Sequence, residues 1–287
     1  MDDFSSDNSI NVIQSFQNTS NNINLLINDS NKGGNYSRNY GLKESKGSYV
    51  LFLDADDVLL PNCLENRFNA IEKNPNRNMW IFTMGVFNKT VGDDKRLWLP
   101  NTLTPLNDFL RHTLPWQTMQ AVWKREFILL LDGFDENFLR LQDVELHTRA
   151  LLNPEANYLL FPGVPDCYLR IDEARLNFDV FTFLLRWTNS VIQYCTKFYE
   201  EAKARRLNHL LIVTVYKTYL QILFYYKTKK IDKAQYEELS KKLFDYLMNY
   251  RMSLVKRFLF FLAKPINLSP LRLPGYNWFT NKILSIN

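Results

Sequence analysis

Cysteine, histidine and glycine are scarce in these 287 residues, and each shortage narrows the chemistry. The three cysteines, Cys63, Cys167 and Cys195, lie far apart with no Cys-x-x-Cys spacing, which argues against a disulfide-stapled scaffold or a zinc ribbon. His112, His147 and His209 are too scattered to form a zinc site. No signal-peptide pattern precedes them, so a reducing, cytoplasmic compartment is expected. No apolar run reaches the length of roughly 20 residues that a membrane-spanning helix needs. Disorder is excluded over most of the chain by 21 Phe, 15 Tyr and 6 Trp, and the length allows one or two domains with a full core.

Charge is divided unevenly. Residues 1–175 hold 17 basic and 23 acidic side chains, while 176–287 hold 18 and 7, so the second part is strongly basic. This change of sign points to two domains, 1–175 and 176–287, and to an anionic surface as partner of the second.

The richest stretch is Gly47-Ser48-Tyr49-Val50-Leu51-Phe52-Leu53-Asp54-Ala55-Asp56-Asp57. Its apolar run suits a strand buried on both faces, as in a parallel sheet covered by helices. Three carboxylates in four residues then stand at the strand's carboxyl end, where open α/β sheets bind ligands. Carboxylates so close repel unless a cation lies between them, and Mn²⁺ or Mg²⁺ carrying a phosphate ligand fits that demand. The plainer alternative is a solvated acidic turn with one Asp capping the next helix.

Helices are expected over 10–18, 36–45, 62–73 and 104–112, with strands over 22–28, 49–53 and 79–88. The alternation argues for an α/β fold with a mostly parallel sheet. From Leu176 onward helical periodicity dominates, over 178–199, 206–226, 232–250 and 253–263. Leu254 to Leu262 and the Trp278-Phe279…Lys282-Ile283-Leu284 tail mix bulky apolar and basic side chains, a pattern that fits a membrane interface and core packing equally well.

Several segments resemble family 2 glycosyltransferases. Met1-Asp2-Asp3-Phe4-Ser5-Ser6-Asp7-Asn8-Ser9 is similar to that family's Val-Asp-Asp-Gly-Ser-Thr-Asp-x-Ser. Gly34-Asn35-Tyr36-Ser37-Arg38-Asn39-Tyr40-Gly41-Leu42 resembles its Gly-x-x-x-Ala-Arg-Asn-x-Gly-Leu. Gly47-x-Tyr49…Leu53-Asp54-Ala55-Asp56-Asp57 follows in the expected order. Gly133-Phe134-Asp135-Glu136…Gln142-Asp143-Val144-Glu145-Leu146 resembles Gly-Phe-Asp-Glu…Glu-Asp-x-Asp-Leu, with Gln142 in place of the usual Glu. The resemblance spans about 1–170.

It implies a GT-A fold, α/β with a mostly parallel sheet, followed here by an α-helical carboxyl-terminal region. It also implies metal-dependent, inverting transfer of a sugar from a nucleotide diphosphate sugar, UDP-linked by expectation, to a hydroxyl acceptor in polysaccharide or glycolipid synthesis. By that resemblance Asp3, Arg38, Asp54 and Asp56 bind the donor, with Asp3 at the base. Asp54 and Asp56 hold Mn²⁺ or Mg²⁺, and Asp143 is the catalytic base. Acceptors in the family are often lipid-linked, so a peripheral position at the inner face of the membrane is expected, with no nucleic acid partner. A late Tyr168-x-Arg170 adds a further phosphate contact.

Members of the family begin upstream of their Asp-Asp with a strand, a helix and a second strand, which this sequence lacks. An upstream start, a degraded gene product or a second chain would each account for that. Two other functions stand beside the first. One is a truncated, inactive binding protein or remnant. The other is a haloacid-dehalogenase-like phosphatase, whose Asp-x-Asp loop Asp54-Ala55-Asp56 resembles but whose following Gly-Thr is replaced by Asp57-Val58.

Overall fold

The computed structural model describes residues 1–171, 178–249, 254–268, 275–284 and 286. The boundary expected at 175/176, and the expected helix limits at 250 and 253, lie outside these. The chain forms two compact units. One comprises residues 1–101, 116–138 and 145–171, and the other 102–115, 139–144 and 172–287.

The first unit is α/β. It contains α1 (Ser9–Gln17), α2 (Gly34–Glu44), β1 (Tyr49–Leu51), β2 (Val58–Leu59), α3 (Cys63–Glu72), β3 (Met79–Phe82), β4 (Met84–Phe87) and β5 (Leu97–Trp98). After α4 (Pro105–Leu110), which belongs to the other unit, come β6 (Ala121–Lys124) and α5 (Arg125–Leu130). Then follow α6 (Gln142–Leu152), whose first three residues also belong to the other unit, β7 (Tyr158–Phe161) and β8 (Cys167–Arg170).

Two four-stranded sheets result, in the orders β1-β6-β3-β7 and β2-β8-β4-β5. The α/β, GT-A-like class holds, but the mostly parallel sheet is corrected to a mixed one. Only β3–β7 and β4–β8 pair in parallel among the described strands, while β1–β6, β3–β6, β2–β8 and β4–β5 are antiparallel. The expectation for β1 also changes. It is an edge strand with only Val50 of its three residues buried, and the run stops pairing at Leu51.

The strand buried on both faces is β3, whose four residues are all buried between β6 and β7. The single strand expected over 79–88 breaks at Thr83, so that β3 serves one sheet and β4 the other. The Thr83 hydroxyl donates to Phe161 O at 3.3 Å and accepts from Gly163 N at 2.9 Å. It thereby satisfies backbone groups where one ladder ends and the next begins. The strand expected over 22–28 is reduced to one parallel bridge between Asp2 and Ile27.

Trp80, Trp116 and Trp123 are fully buried in this unit. So is the guanidinium of Arg67, which donates through Nε and Nη2 to Asp166, through Nη1 to Met119 O at 2.9 Å, and lies 4.9 Å from the Phe82 ring centre. Burial works against the charged guanidinium, but the Asp166 hydrogen bonds and charge outweigh it and raise the Arg67 pKa. Burial also pushes the neighbouring thiols up, Cys63 to about 11 and Cys167 to about 12, so both are inert.

The second unit is helical: α4, then α7 (Val180–Ala204), α8 (Asn208–Lys227), α9 (Lys233–Met248), α10 (Leu254–Leu268) and α11 (Tyr276–Leu284). Asp179 caps α7 by accepting from Phe181 N and Thr182 N. Asp232 and Gln235 form a reciprocal capping box at α9. Buried residues run almost without break from Leu210 to Tyr216, so α8 is the central helix of the unit. No helix of the described residues is long and apolar enough to cross a membrane.

Candidate active site

Helix α2 organises the site. It begins at Gly33, whose φ of +87° is one that side chains rarely allow, and it carries two buried asparagines one turn apart, Asn35 and Asn39. Asparagine is a poor helix former because its amide competes for backbone groups, so two on one face signal a specific task. Asn35 Nδ2 donates to Asp135 O at 2.8 Å and Phe138 O at 3.2 Å. Asn39 donates to Phe134 O and accepts from Phe134 N, both at 2.8 Å. Helix α2 thus holds the Gly133-Phe134-Asp135-Glu136 turn against itself. Gly133 has φ +65°, and a Cβ there would meet Asn39 Oδ1 at 2.3 Å, which accounts for the glycine twice over. From the other side Arg149 donates to Leu131 O and to Gly133 O, and is itself gripped by the fully buried Glu145.

Asp3 stands at the amino end of α2. Its carboxylate accepts from Asn28 Nδ2, Lys32 N and Gly33 N, each at 2.8 Å. Burial alone would raise its pKa, but these donors outweigh it and hold the carboxyl below its ordinary value. The helix dipole favours the same charge. Asn28 Nδ2 also donates to Ser37 Oγ at 2.9 Å, which ties Asp3 to the residue before Arg38.

Asp54 to Asp57 form a β-turn closed by Asp57 N to Asp54 O at 3.1 Å. Arg38 Nη2 donates to Asp54 Oδ1 at 2.5 Å, and the guanidinium lies 5.3 Å from the Phe134 ring centre. Phe134 in turn meets Phe52 edge-on at 5.0 Å. Arg170 supports the far side of the turn: its N–H donates to Asp57 Oδ1 at 2.9 Å and its Nε to Asp56 O at 3.1 Å. Of the expected site residues, Asp3 and Arg38 therefore gather on the amino-terminal half of α2, and the Asp54–Asp57 turn is joined to it through Arg38. Arg170 reaches the same turn. The Asp54 side chain stays 50 % exposed and the Arg38 side chain 21 % exposed.

These hard carboxylate oxygens on an open turn fit a divalent ion that takes its other ligands from water and phosphate. Among the described residues no three His, Cys, Asp or Glu side chains converge into an all-protein metal cage.

Asp143 belongs to the second unit, in the first turn of α6, and its Oδ1 accepts from Val144 N at 2.9 Å. Leu141, just ahead of that helix, has φ +60°. His147 is fully buried. It stacks on Trp123 at 5.3 Å and meets Trp116 edge-on at 5.7 Å, so both it and Trp116 are core side chains.

Residues 1–130 match the family described as Glycosyl transferase family 2. An uncharacterized glycosyltransferase of Methanocaldococcus jannaschii is 26 % identical over 199 residues, 66 % of this chain and 67 % of that protein. The Escherichia coli UDP-Glc:alpha-D-GlcNAc-diphosphoundecaprenol beta-1,3-glucosyltransferase WfgD is 38 % identical over 73 residues, 25 % of this chain and 28 % of its own length. Among solved structures, residues 1–349 of Staphylococcus aureus TarS in complex with UDP share the fold, with a TM-score of 0.50 and 14 % identity over 99 % of this chain and 77 % of that one. Nothing in these matches supports the phosphatase reading.

Proposed function

We propose, for a chain whose residues 1–130 match glycosyl transferase family 2, that it moves a sugar from a UDP-sugar to a hydroxyl of a lipid-linked saccharide, with inversion. The observation that carries this is the Asp54–Asp57 turn, with the Asp54 carboxylate exposed beyond β1 and the turn supported by Arg38 and Arg170. Support for the donor comes from the UDP complex of the TarS fold and the name of the E. coli relative, and that name also supports a diphosphoundecaprenol-linked acceptor.

Asp3, charged and fixed at the α2 terminus, contacts the base. Arg38, beside the turn, meets the diphosphate. Asp54 and Asp56 would hold Mn²⁺ or Mg²⁺, which when bound offsets negative charge on the departing nucleotide. Asp143 takes the proton of the acceptor hydroxyl as its oxygen bonds to the anomeric carbon and the bond to the diphosphate breaks. One such displacement inverts the anomeric centre. A lipid-linked acceptor places the protein peripherally at the membrane's inner face.

The test is calorimetry of UDP binding with Mn²⁺. Asp56→Asn is expected to abolish the metal-dependent part of the affinity while leaving the circular dichroism unchanged. Equal affinity in the two proteins overturns the assignment.

A further inference from the structure

Phe134 is buried between the two halves of the Arg38–Asp54 pair. The Arg38 guanidinium lies over its ring, and Phe52 meets the same ring edge-on at 5.0 Å. Phe52 stands two residues before Asp54. One aromatic side chain therefore touches the arginine itself and the segment that leads into its carboxylate partner. All of these residues belong to the first unit.

The ring is held more firmly than the pair beside it. Asn39 closes both backbone groups of Phe134, donating to its carbonyl and accepting from its N–H. Asn39 Nδ2 also reaches Glu136 Oε1 at 2.8 Å, and Asn35 Nδ2 holds Asp135 O. Gly133, just ahead of the ring, has Asn39 Oδ1 where a side chain would begin, and its carbonyl accepts from Arg149 Nη2 at 2.7 Å. Satisfied buried networks of this kind rigidify the chain. The carboxylate of Asp54, in contrast, is half exposed.

Asp54 cannot serve Arg38 and a metal ion equally. A dication on its carboxylate repels the neighbouring guanidinium, so the ion pair weakens as the donor's diphosphate arrives. The contact with Phe134 survives that exchange, because the ring carries no charge for the ion to neutralise. Its attraction for a cation is comparable to that of an exposed ion pair, and greater where water is kept out.

We propose that Phe134 is a positioning residue for donor binding. Its ring seats the Arg38 guanidinium, so that Arg38 stays beside the turn when Asp54 is taken by the metal and its N–H groups meet the diphosphate. Phe134 acts through Arg38 and not on the donor. This rests on the donor reading given above, and one of its two tests uses no donor.

The first test is nuclear magnetic resonance of the chain without donor or metal. A guanidinium over a ring face has its side-chain protons shifted upfield. The Arg38 shift is expected to persist in Asp54→Asn and to vanish in Phe134→Leu. Its loss in Asp54→Asn overturns the proposal, as does its survival in Phe134→Leu. Asp54→Asn decides alone if Phe134→Leu does not fold.

The second is calorimetry of UDP binding with Mn²⁺. Phe134→Leu is expected to weaken binding about three- to tenfold, the range set by one cation–ring contact, and Arg38→Gln to weaken it more. In the Arg38→Gln background Phe134→Leu is expected to add less than about a twofold loss. A ring with a merely structural role would cost the same in both backgrounds, and that additive result overturns the proposal. A wild type that binds no UDP but keeps the upfield Arg38 signals retains the seat and loses the donor reading.

Discussion

Two arginine–aspartate pairs in the α/β unit use the same groups for opposite ends. Arg67 and Asp166 have side chains 2 % and 11 % exposed, and the guanidinium spends further hydrogen bonds on Met119 O and Cys167 Sγ. Arg38 and Asp54 have side chains 21 % and 50 % exposed on an open turn. In the first pair neither partner has an alternative to the other, since separating them strands a charge away from water. In the second, water and any arriving ion compete with the pair at little cost. Burial separates the two pairs, one closed to water and the other open to it.

The largest effect should fall on the closed pair. Asp166→Ala leaves Arg67 buried without its counter-ion, and a loss of about 3–5 kcal/mol in urea-unfolding stability is expected. A loss below about 1 kcal/mol would erase the distinction between the pairs.

Next comes a carboxylate assigned to chemistry. Asp143→Asn should lower turnover by roughly 10²–10⁴-fold with little change in UDP affinity, as steady-state kinetics and calorimetry would show. Wild-type turnover would remove Asp143 from the reaction.

A third test uses a buried group with no counter-ion at all. His112, at φ +51° after α4, has its ring 5.3 Å from Trp187 and its Nε2 buried without a hydrogen-bond partner. Burial first, and the Lys217 charge second, push its pKa down to about 4 from 6.5. The folded state then binds fewer protons than the unfolded one between these values. Its contribution to stability is complete above pH 6.5 and falls as the pH drops toward 4, by on the order of 2–3 kcal/mol. Melting temperature against pH should show this slope, and His112→Gln should flatten it.

The smallest effect belongs to the open pair. Asp54→Asn should change stability by less than about 1 kcal/mol in the same urea experiment, because exposed pairs contribute little. A larger loss would mean that the turn needs Arg38 to stand.

The members of the open pair each stood in a sequence motif, although their pairing did not show, and the closed pair left no local trace. Asp54 and Asp56 follow a short apolar run, and Arg38 lies in a motif of fixed spacing, so local pattern was enough to find them. Arg67 and Asp166 are 99 residues apart, and nothing local marks either as buried. The helices of the second unit were readable because amphipathic periodicity is a local signal. Strand pairing is a long-range choice, so the mixed sheets and the break at Thr83 escaped the reading. Asn35 and Asn39 did carry a signal, two poor helix formers one turn apart, and it identifies side chains that bind another part of the chain.

The break at Thr83 has a kinetic consequence. Its two flanking strands are inner members of separate sheets, and each finds its parallel neighbour about 80 residues further along the chain, a separation that slows folding. Because β3 and β4 are one covalent run, ordering either sheet brings the second strand to the place where its own neighbour must arrive. Neither sheet then has a folding event of its own. Amide hydrogens of Ile81 and Val86, on opposite sides of the break, should exchange with one common opening free energy, as members of a single cooperative unit.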